Sequence, residues 1–346
     1  MKKKVLYFNF DVGGGIESCG NIFLDFLKEI NNIELFEWKA QDQPPNMIDR
    51  IIDFSPDIIV LNEFFERSAN ISFYYKKFRP STKIVALIHS WKSLFGDWTD
   101  ERYSPELRCQ MFLNMKFFEI CDKILVLNYP PEYIKLPRNA IRAYFPVNDD
   151  KYRIKKEWKD RKNDFLYLGS ISPLKLSESF IDLINGSNIF IDCYGFRFDG
   201  RGEYKKYFGK FDSCKNLIYK GLVKQEDVSD ILNDYKYFVM PHDGYEIFNI
   251  SLLQAIKCGT IPLVSNDRTS KEFDYTWIDW ADDLYFGCNK IEELVENIKI
   301  LSLDAPDHSD ISIFISSKAK ERFFYYELKE MFVKVIGTYI NMYVMI

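Results

Sequence analysis

Short runs of consecutive apolar, β-branched and aromatic residues recur along the chain. Between them lie longer stretches in which apolar positions return every three or four residues. The runs predict strands buried on both faces, and the stretches predict helices laid over them. Strands are expected at 5–9, 33–38, 58–62, 84–89 and 124–128, with helices at 16–30, 47–54, 71–78 and 105–120. A charge-rich segment, 151–163, interrupts the alternation, which then restarts. Strands follow at 164–169, 189–194, 217–220, 237–240 and 261–265, and helices at 175–184, 225–233, 291–303 and 316–335, with a short one ending near 257. Strands spaced by helices pair in parallel through right-handed crossovers, so the fold class is α/β with two Rossmann-like halves. The expected division is 1–150, 151–330, and a closing segment 331–346 packed back on the first half. No repeat and no low-complexity tract disturbs this layout.

Composition narrows the class. A chain of 346 residues suggests about two domains, and 47% hydrophobic content is ample for two cores. The formal net charge of −5 excludes a surface coated in basic residues while leaving room for a local basic groove. Seven cysteines without paired spacing read as reduced, buried thiols, and three histidines lack the spacing of metal ligands. Neither a metal nor a bound cofactor is expected. The basic N-terminus leads into a short strand and carries no cleavage pattern, and no apolar run is long enough to span a membrane. The expected location is the cytoplasm, or the host cytoplasm if the source is viral. The apolar tail 331–346 is expected to pack on the protein, with peripheral membrane contact as the alternative. The oligomeric state is not legible.

The richest chemistry lies in 242–267, which reads as a loop, a helix and a strand. Glu246 sits on the loop, Asn249 or Ser251 is placed to cap the helix, Gly259 to end it, and Pro262 stands near a strand start. A helix N-terminus favours a phosphate, whereas a carboxylate beside it suits the neutral hydroxyls of a sugar. This segment resembles the donor-site signature of retaining GT-B glycosyltransferases (group 1, or family 4-like): two acids eight positions apart, then Ala-x-x-Cys-Gly-x-x-Pro. Glu246, Phe248, Ala255, Cys258, Gly259 and Pro262 are in register; Gln254 replaces the second acid. The resemblance implies two Rossmann-like domains facing a cleft, with a last helix crossing back to the first domain. It also implies that Glu246 holds sugar hydroxyls, that Gln254 holds the ribose through its amide, and that Phe248, Asn249 and Ile250 line the donor site.

Three further places match the same family. Gly14 and Gly15 open the first helix, where glycines allow close approach of a ligand. His89 ends a strand at the carboxyl edge where open α/β sheets bind ligands, and the resemblance brings it near the donor sugar. Lys175 matches the second cation of the family's diphosphate clamp, while Ser170 stands where its arginine belongs; Arg197 is the expected replacement. The Tyr194–Arg197 and Cys258–Pro262 elements are faintly similar to phage DNA α-glucosyltransferases. The expected function is therefore a retaining, metal-independent glycosyltransferase using a nucleotide-diphosphate sugar, with Glu246, His89 and Lys175 at its catalytic centre. Its acceptor would be a glycan or lipid-linked sugar, with a hydroxymethylated DNA base as the alternative acceptor. A sugar-nucleotide-binding module without activity is the alternative of a different class.

Overall fold

The structure is a computed structural model that describes residues 2–9, 14–39, 46–63, 66–89, 116–127, 136–173, 175–197, 202, 204–241, 250–265, 287–288, 290–304 and 306–340. Glu246, Phe248, Asn249 and most of the helix expected at 105–120 lie outside the described residues. The chain divides into two compact units, Met1–Pro146 with Tyr325–Ile346, and Val147–Phe324.

In the first unit the elements are β1 (Lys3–Asn9), α1 (Gly14–Lys28), β2 (Ile33–Lys39), α2 (Met47–Phe54), β3 (Ile58–Asn62), α3 (Glu66–Phe78), β4 (Lys83–Ile88), β5 (Lys123–Val126) and β6 (Ala140–Arg142). All pairings are parallel, in the order β2-β1-β3-β4-β5-β6. The central strands are apolar throughout because helices cover both faces, and Ile58–Leu61 and Ile84–Ile88 are fully buried. A hydroxyl ties helix to sheet: Tyr7 Oη donates to the Gly20 carbonyl at 2.7 Å. The unit is completed by a distant piece of chain, the closing helix Tyr325–Ile340. Phe332 of that helix meets Phe23 and Phe26 of α1 edge-on or tilted, Tyr325 meets Phe26, and Lys329 pairs with Glu29. Each aromatic contact adds about 0.5–1.5 kcal/mol beyond the area it buries.

The second unit carries β7 (Asn163–Leu168), α4 (Glu178–Ile184), β8 (Ile191–Tyr194), α5 (Lys205–Ser213), β9 (Leu217–Gly221), α6 (Val228–Asp234), β10 (Tyr235–Met240), α7 (Ile250–Lys257), β11 (Ile261–Ser265), β12 (Gly287–Cys288), α8 (Ile291–Leu303) and α9 (Ser309–Arg322); the closing helix of the first unit is α10. Its parallel sheet runs β12-β11-β10-β7-β8-β9. From β7 the chain builds outward through β8 and β9, then returns to add β10, β11 and β12 on the other side. The gap between β7 and β10 is thus a topological switch point, where such sheets bind ligands at their carboxyl edge.

Several sequence expectations change. The helix expected at 316–335 is two helices, α9 and α10, because the chain leaves the second unit at Phe324. Helix α5 lies between the strands expected at 189–194 and 217–220, where no helix was expected. Its Tyr207 and Phe211, four residues apart, are buried on one face, and its exposed lysines had hidden that stripe. The charged segment 151–163 belongs to the second unit, which the chain enters at Val147, and Lys155 and Lys156 pair with Asp230 and Asp234 of α6. The six described cysteines are buried and unpaired. No helix among the described residues is long and apolar enough to cross a membrane.

The second unit is fastened at one side chain. Lys257, the last residue of α7 and 0% exposed, donates from Nζ to the Val147 carbonyl at 2.9 Å, the Phe323 carbonyl at 2.7 Å and Asp149 Oδ1 at 2.8 Å. Burial pulls its pKa below the usual lysine value, and the Asp149 carboxylate pulls the other way. All three ammonium hydrogens are therefore satisfied, which is what makes a buried charge tolerable. Lys257→Met is expected to strand Asp149 and two carbonyls and to cost about 3–5 kcal/mol of unfolding free energy. Denaturant unfolding of the whole chain measures it, and a loss below ~1 kcal/mol would remove Lys257 from this role.

Candidate functional site

At the carboxyl edge of the second sheet, two loops leave from either side of the switch point. The first follows β7 and contains Ser170 and Lys175. It is held at four places. Ile171 N–H donates to the Phe196 carbonyl at 2.8 Å, Tyr167 Oη to the Ser170 carbonyl at 2.7 Å and Tyr207 Oη to the Leu176 carbonyl at 2.7 Å. Ser177 N–H donates to the Pro241 carbonyl at 3.1 Å, which ties this loop to the one after β10. Ser177 then caps α4, its Oγ accepting from Phe180 N–H. Such closeness requires glycine: at Gly195, with φ +147°, an added Cβ would stand 1.7 Å from the Gly169 carbonyl oxygen. Lys175 is partly buried on this loop.

Helix α7 begins at Ile250, so Ser251 lies inside the helix. Gly259 ends it at φ +71°, with Thr260 N–H reaching back to the Ala255 carbonyl and Gly259 N–H to that of Ile256. This is a Schellman stop. Arg161 then covers the helix end, donating to the carbonyls of Cys258 and Tyr235. Gln254 is buried on α7, and its Nε2 donates to Tyr152 Oη at 3.0 Å; Gln225 Nε2 donates to the same oxygen at 2.7 Å. Burial raises the Tyr152 pKa, so the hydroxyl is neutral. Nothing in the sequence marked Tyr152, since it lies about a hundred residues from Gln254.

Arg197, the expected partner of Lys175, is paired within the second unit. Its guanidinium forks onto Asp212, with Nη1 3.2 Å from Oδ2 and Nη2 bonded to Oδ1. The rings of Phe208, Phe211 and Tyr219 surround it, Tyr219 at 4.4 Å. Its charge is matched by a carboxylate, and aromatic rings of α5 and β9 lie against it. Several lysines of 151–163 and α5 are paired: Lys155 and Lys156 as above, Lys151 onto the Gln225 carbonyl, and Lys210 onto Glu178 and Asp182.

The first unit carries its own polar cluster at the carboxyl edge of its sheet. His89, directly after β4, is 8% exposed. Its Nε2 lies 2.8 Å from Asn62 Oδ1, its backbone N–H donates to Glu63 Oε2 at 2.9 Å, and its ring sits 5.6 Å from that of Phe145. Its Nδ1 is buried with no hydrogen-bond partner among the described residues. Desolvation lowers its pKa from 6.5 to about 3. Gly14 and Gly15 are the first two residues of α1. Asn9 and Asn62, polar residues that end otherwise apolar strands, join the cluster and were missed in the sequence. Asparagine closing a buried strand was the available signal.

Residues 148–314 match the model of the family described as glycosyl transferases group 1, nearly the whole second unit. No curated protein matches the chain. Among solved structures, HepE of Anabaena in complex with UDP and glucose is similar with a TM-score of 0.72 at 13% identity, over 97% of this chain and 100% of that one. Sucrose-phosphate synthase from Thermosynechococcus elongatus gives 0.73 at 10% identity, over 97% and 99%. A glycosyltransferase from Rickettsia africae gives 0.60 at 12%, over 98% and 99%. At these identities the likeness is one of fold, two Rossmann-like domains of the GT-B type.

The pH behaviour of His89 follows from its burial. Between its unfolded value of 6.5 and its folded value of about 3 the unfolded chain binds a proton that the folded chain refuses. Stability therefore falls as pH drops through this window, by up to about 1.4 kcal/mol per pH unit. His89→Gln removes that contribution. Its unfolding free energy is expected to decline less steeply than the wild type's between pH 6.5 and pH 4, and parallel declines would place the histidine's titration elsewhere.

Proposed function

Residues 148–314 match the group 1 glycosyl transferases on a chain of GT-B fold, and on that premise we propose that the chain is a glycosyltransferase that moves a sugar from a UDP-sugar to a hydroxyl of a glycan or lipid-linked sugar, with retention at the anomeric carbon. The observation that carries this reading is the pair of loops at the second sheet's switch point, joined by the Ser177–Pro241 hydrogen bond. One loop brings Ser170 and Lys175, and α7 starts beyond the other at Ile250. Similarity to the UDP and glucose complex of HepE supports the choice of nucleotide.

The chemistry follows from the residue types. Glu246 accepts hydrogen bonds from sugar hydroxyls, and the amide of Gln254 takes the ribose in place of a carboxylate. As the bond from the anomeric carbon to the diphosphate breaks, negative charge grows on the departing oxygens. Lys175 and the N–H groups opening α7 stabilise it. The acceptor oxygen bonds to the same face of the anomeric carbon, and its proton passes to the leaving phosphate. His89, Gly14 and Gly15 contribute substrate contacts by the same resemblance.

A thermal-shift screen of nucleoside diphosphates and their sugars tests this. Ligand at a hundred times its Kd stabilises by about 2.7 kcal/mol, so a rise with UDP, larger with one UDP-sugar, is expected. Glu246→Ala should keep the response to UDP and lose the increment from the sugar, together with slow donor hydrolysis. A protein indifferent to every nucleotide would sink the proposal in favour of a binding module for glycans.

A further inference from the structure

The His89 imidazole is one end of a hydrogen-bonded row that crosses the first sheet strand by strand. Glu37 on β2 accepts from Asn9 Nδ2 at 3.0 Å; Asn9, ending β1, accepts through Oδ1 from Asn62 Nδ2 at 3.4 Å; Asn62, ending β3, offers Oδ1 to His89 Nε2 after β4 at 2.8 Å. The sheet order β2-β1-β3-β4 makes these four residues neighbours. Asn21 of α1 also accepts from Asn9 Nδ2 at 3.0 Å, which uses the second hydrogen of that amide. Gly20, next to Asn21, leaves the space: a Cβ there would stand 2.1 Å from Asn62 Nδ2 and 2.5 Å from Asn9 Oδ1.

The row has a direction because one end cannot reverse. A carboxylate only accepts, so Glu37 requires the amide nitrogen of Asn9 to face it. Asn9 must then show its oxygen to Asn62, Asn62 must show its nitrogen to Asn9, and its remaining oxygen needs a proton from His89 Nε2. Turning any amide around would set oxygen against oxygen or leave a buried N–H without an acceptor. The neutral imidazole carries one proton, so Nδ1 keeps a lone pair, and it has no partner among the described residues. Buried polar atoms are nearly always satisfied, and an exception at a strand's carboxyl edge points to a missing donor.

We propose that Glu37, Asn9 and Asn62 are positioning residues that hold His89 as the Nε2–H tautomer, so that Nδ1 accepts a hydrogen bond from a substrate hydroxyl. The tautomer assignment stands on the row alone, while the substrate contact rests on the function proposed above. A hydroxyl of the sugar being moved and a hydroxyl of the acceptor share the required chemistry. A purely structural tie would hold the strands together but would not need Glu37 to choose a tautomer.

Nitrogen NMR of protein carrying 15N-histidine reads the tautomer directly. The chain has only His89, His242 and His308, and His89→Gln identifies the first. A bare Nδ1 and a protonated Nε2 are expected at pH 7. Glu37→Gln, at the half-buried far end, lets the amides turn, and both tautomers should then appear. Asn62→Leu should have the same effect by removing the last link; if it does not fold, Glu37→Gln suffices. In kinetics, Glu37→Gln should lower kcat/KM about tenfold, as for one lost hydrogen bond, and should have no further effect in a His89→Gln background. A loss seen in donor hydrolysis without acceptor assigns the contact to the sugar, and a loss seen only in transfer assigns it to the acceptor. A proton on Nδ1 in the wild type, a single tautomer persisting in Glu37→Gln, or additive kinetic effects would each overturn the proposal. Absence of turnover with any sugar nucleotide would instead defeat the function proposed above and leave the NMR result standing.

Discussion

One ammonium group organises the second unit. Lys257 sits where α7 ends, and its three hydrogens go to the carbonyl of the first residue of the unit, to a carboxylate two residues further on, and to a carbonyl at the unit's last turn. A lysine without these acceptors would not stay charged in such a place, and the carbonyls without the lysine would be orphaned. The same helix carries Gln254 and starts at the candidate donor loop. Helix, chain entry and chain exit therefore share one fastening, and the helix cannot shift along its axis without breaking it. The Schellman stop at Gly259 and the Arg161 contacts at the helix end hold the same point from the other side.

The two sheets solve the problem of the carboxyl edge differently. In the second unit the edge is built from backbone: glycines at 169 and 195 come into contact, carbonyls accept from tyrosines, and the loops bond to each other. In the first unit it is built from side chains, where Asn9, Asn62 and His89 end successive neighbouring strands. Backbone fixes a shape that a phosphate can rest on, whereas side chains fix the sense of each hydrogen bond.

Most of the fold was legible because its strands are buried on both faces and read as unbroken apolar runs, such as 58–61 and 84–88. Elements carrying a mixed message were not. Helix α5 hides two buried aromatics among lysines, and the break at Phe323 and Phe324 is set by where the chain changes unit, which no local propensity records. The donor signature was legible as spacing alone, through Ala255, Cys258, Gly259 and Pro262. The pairing of Arg197 with Asp212 was not legible, because Asp212 is brought to it by a helix that the sequence had not revealed. Tyr152 and the Asn9–Asn62 pair depend on contacts between residues far apart in sequence, where side-chain chemistry gives no local sign.

The closing helix has a consequence in time. Its Phe332 packs with Phe23 and Phe26, yet the ribosome supplies it only after the entire intervening unit. During synthesis the first sheet waits with one aromatic face of α1 uncovered, while the second unit has everything it needs in a continuous stretch. The second unit can thus finish first, and by drawing its own two ends to Lys257 it brings the late helix back to a chain that emerged long before. Loop closure that would otherwise be left to chance is done by a folded domain.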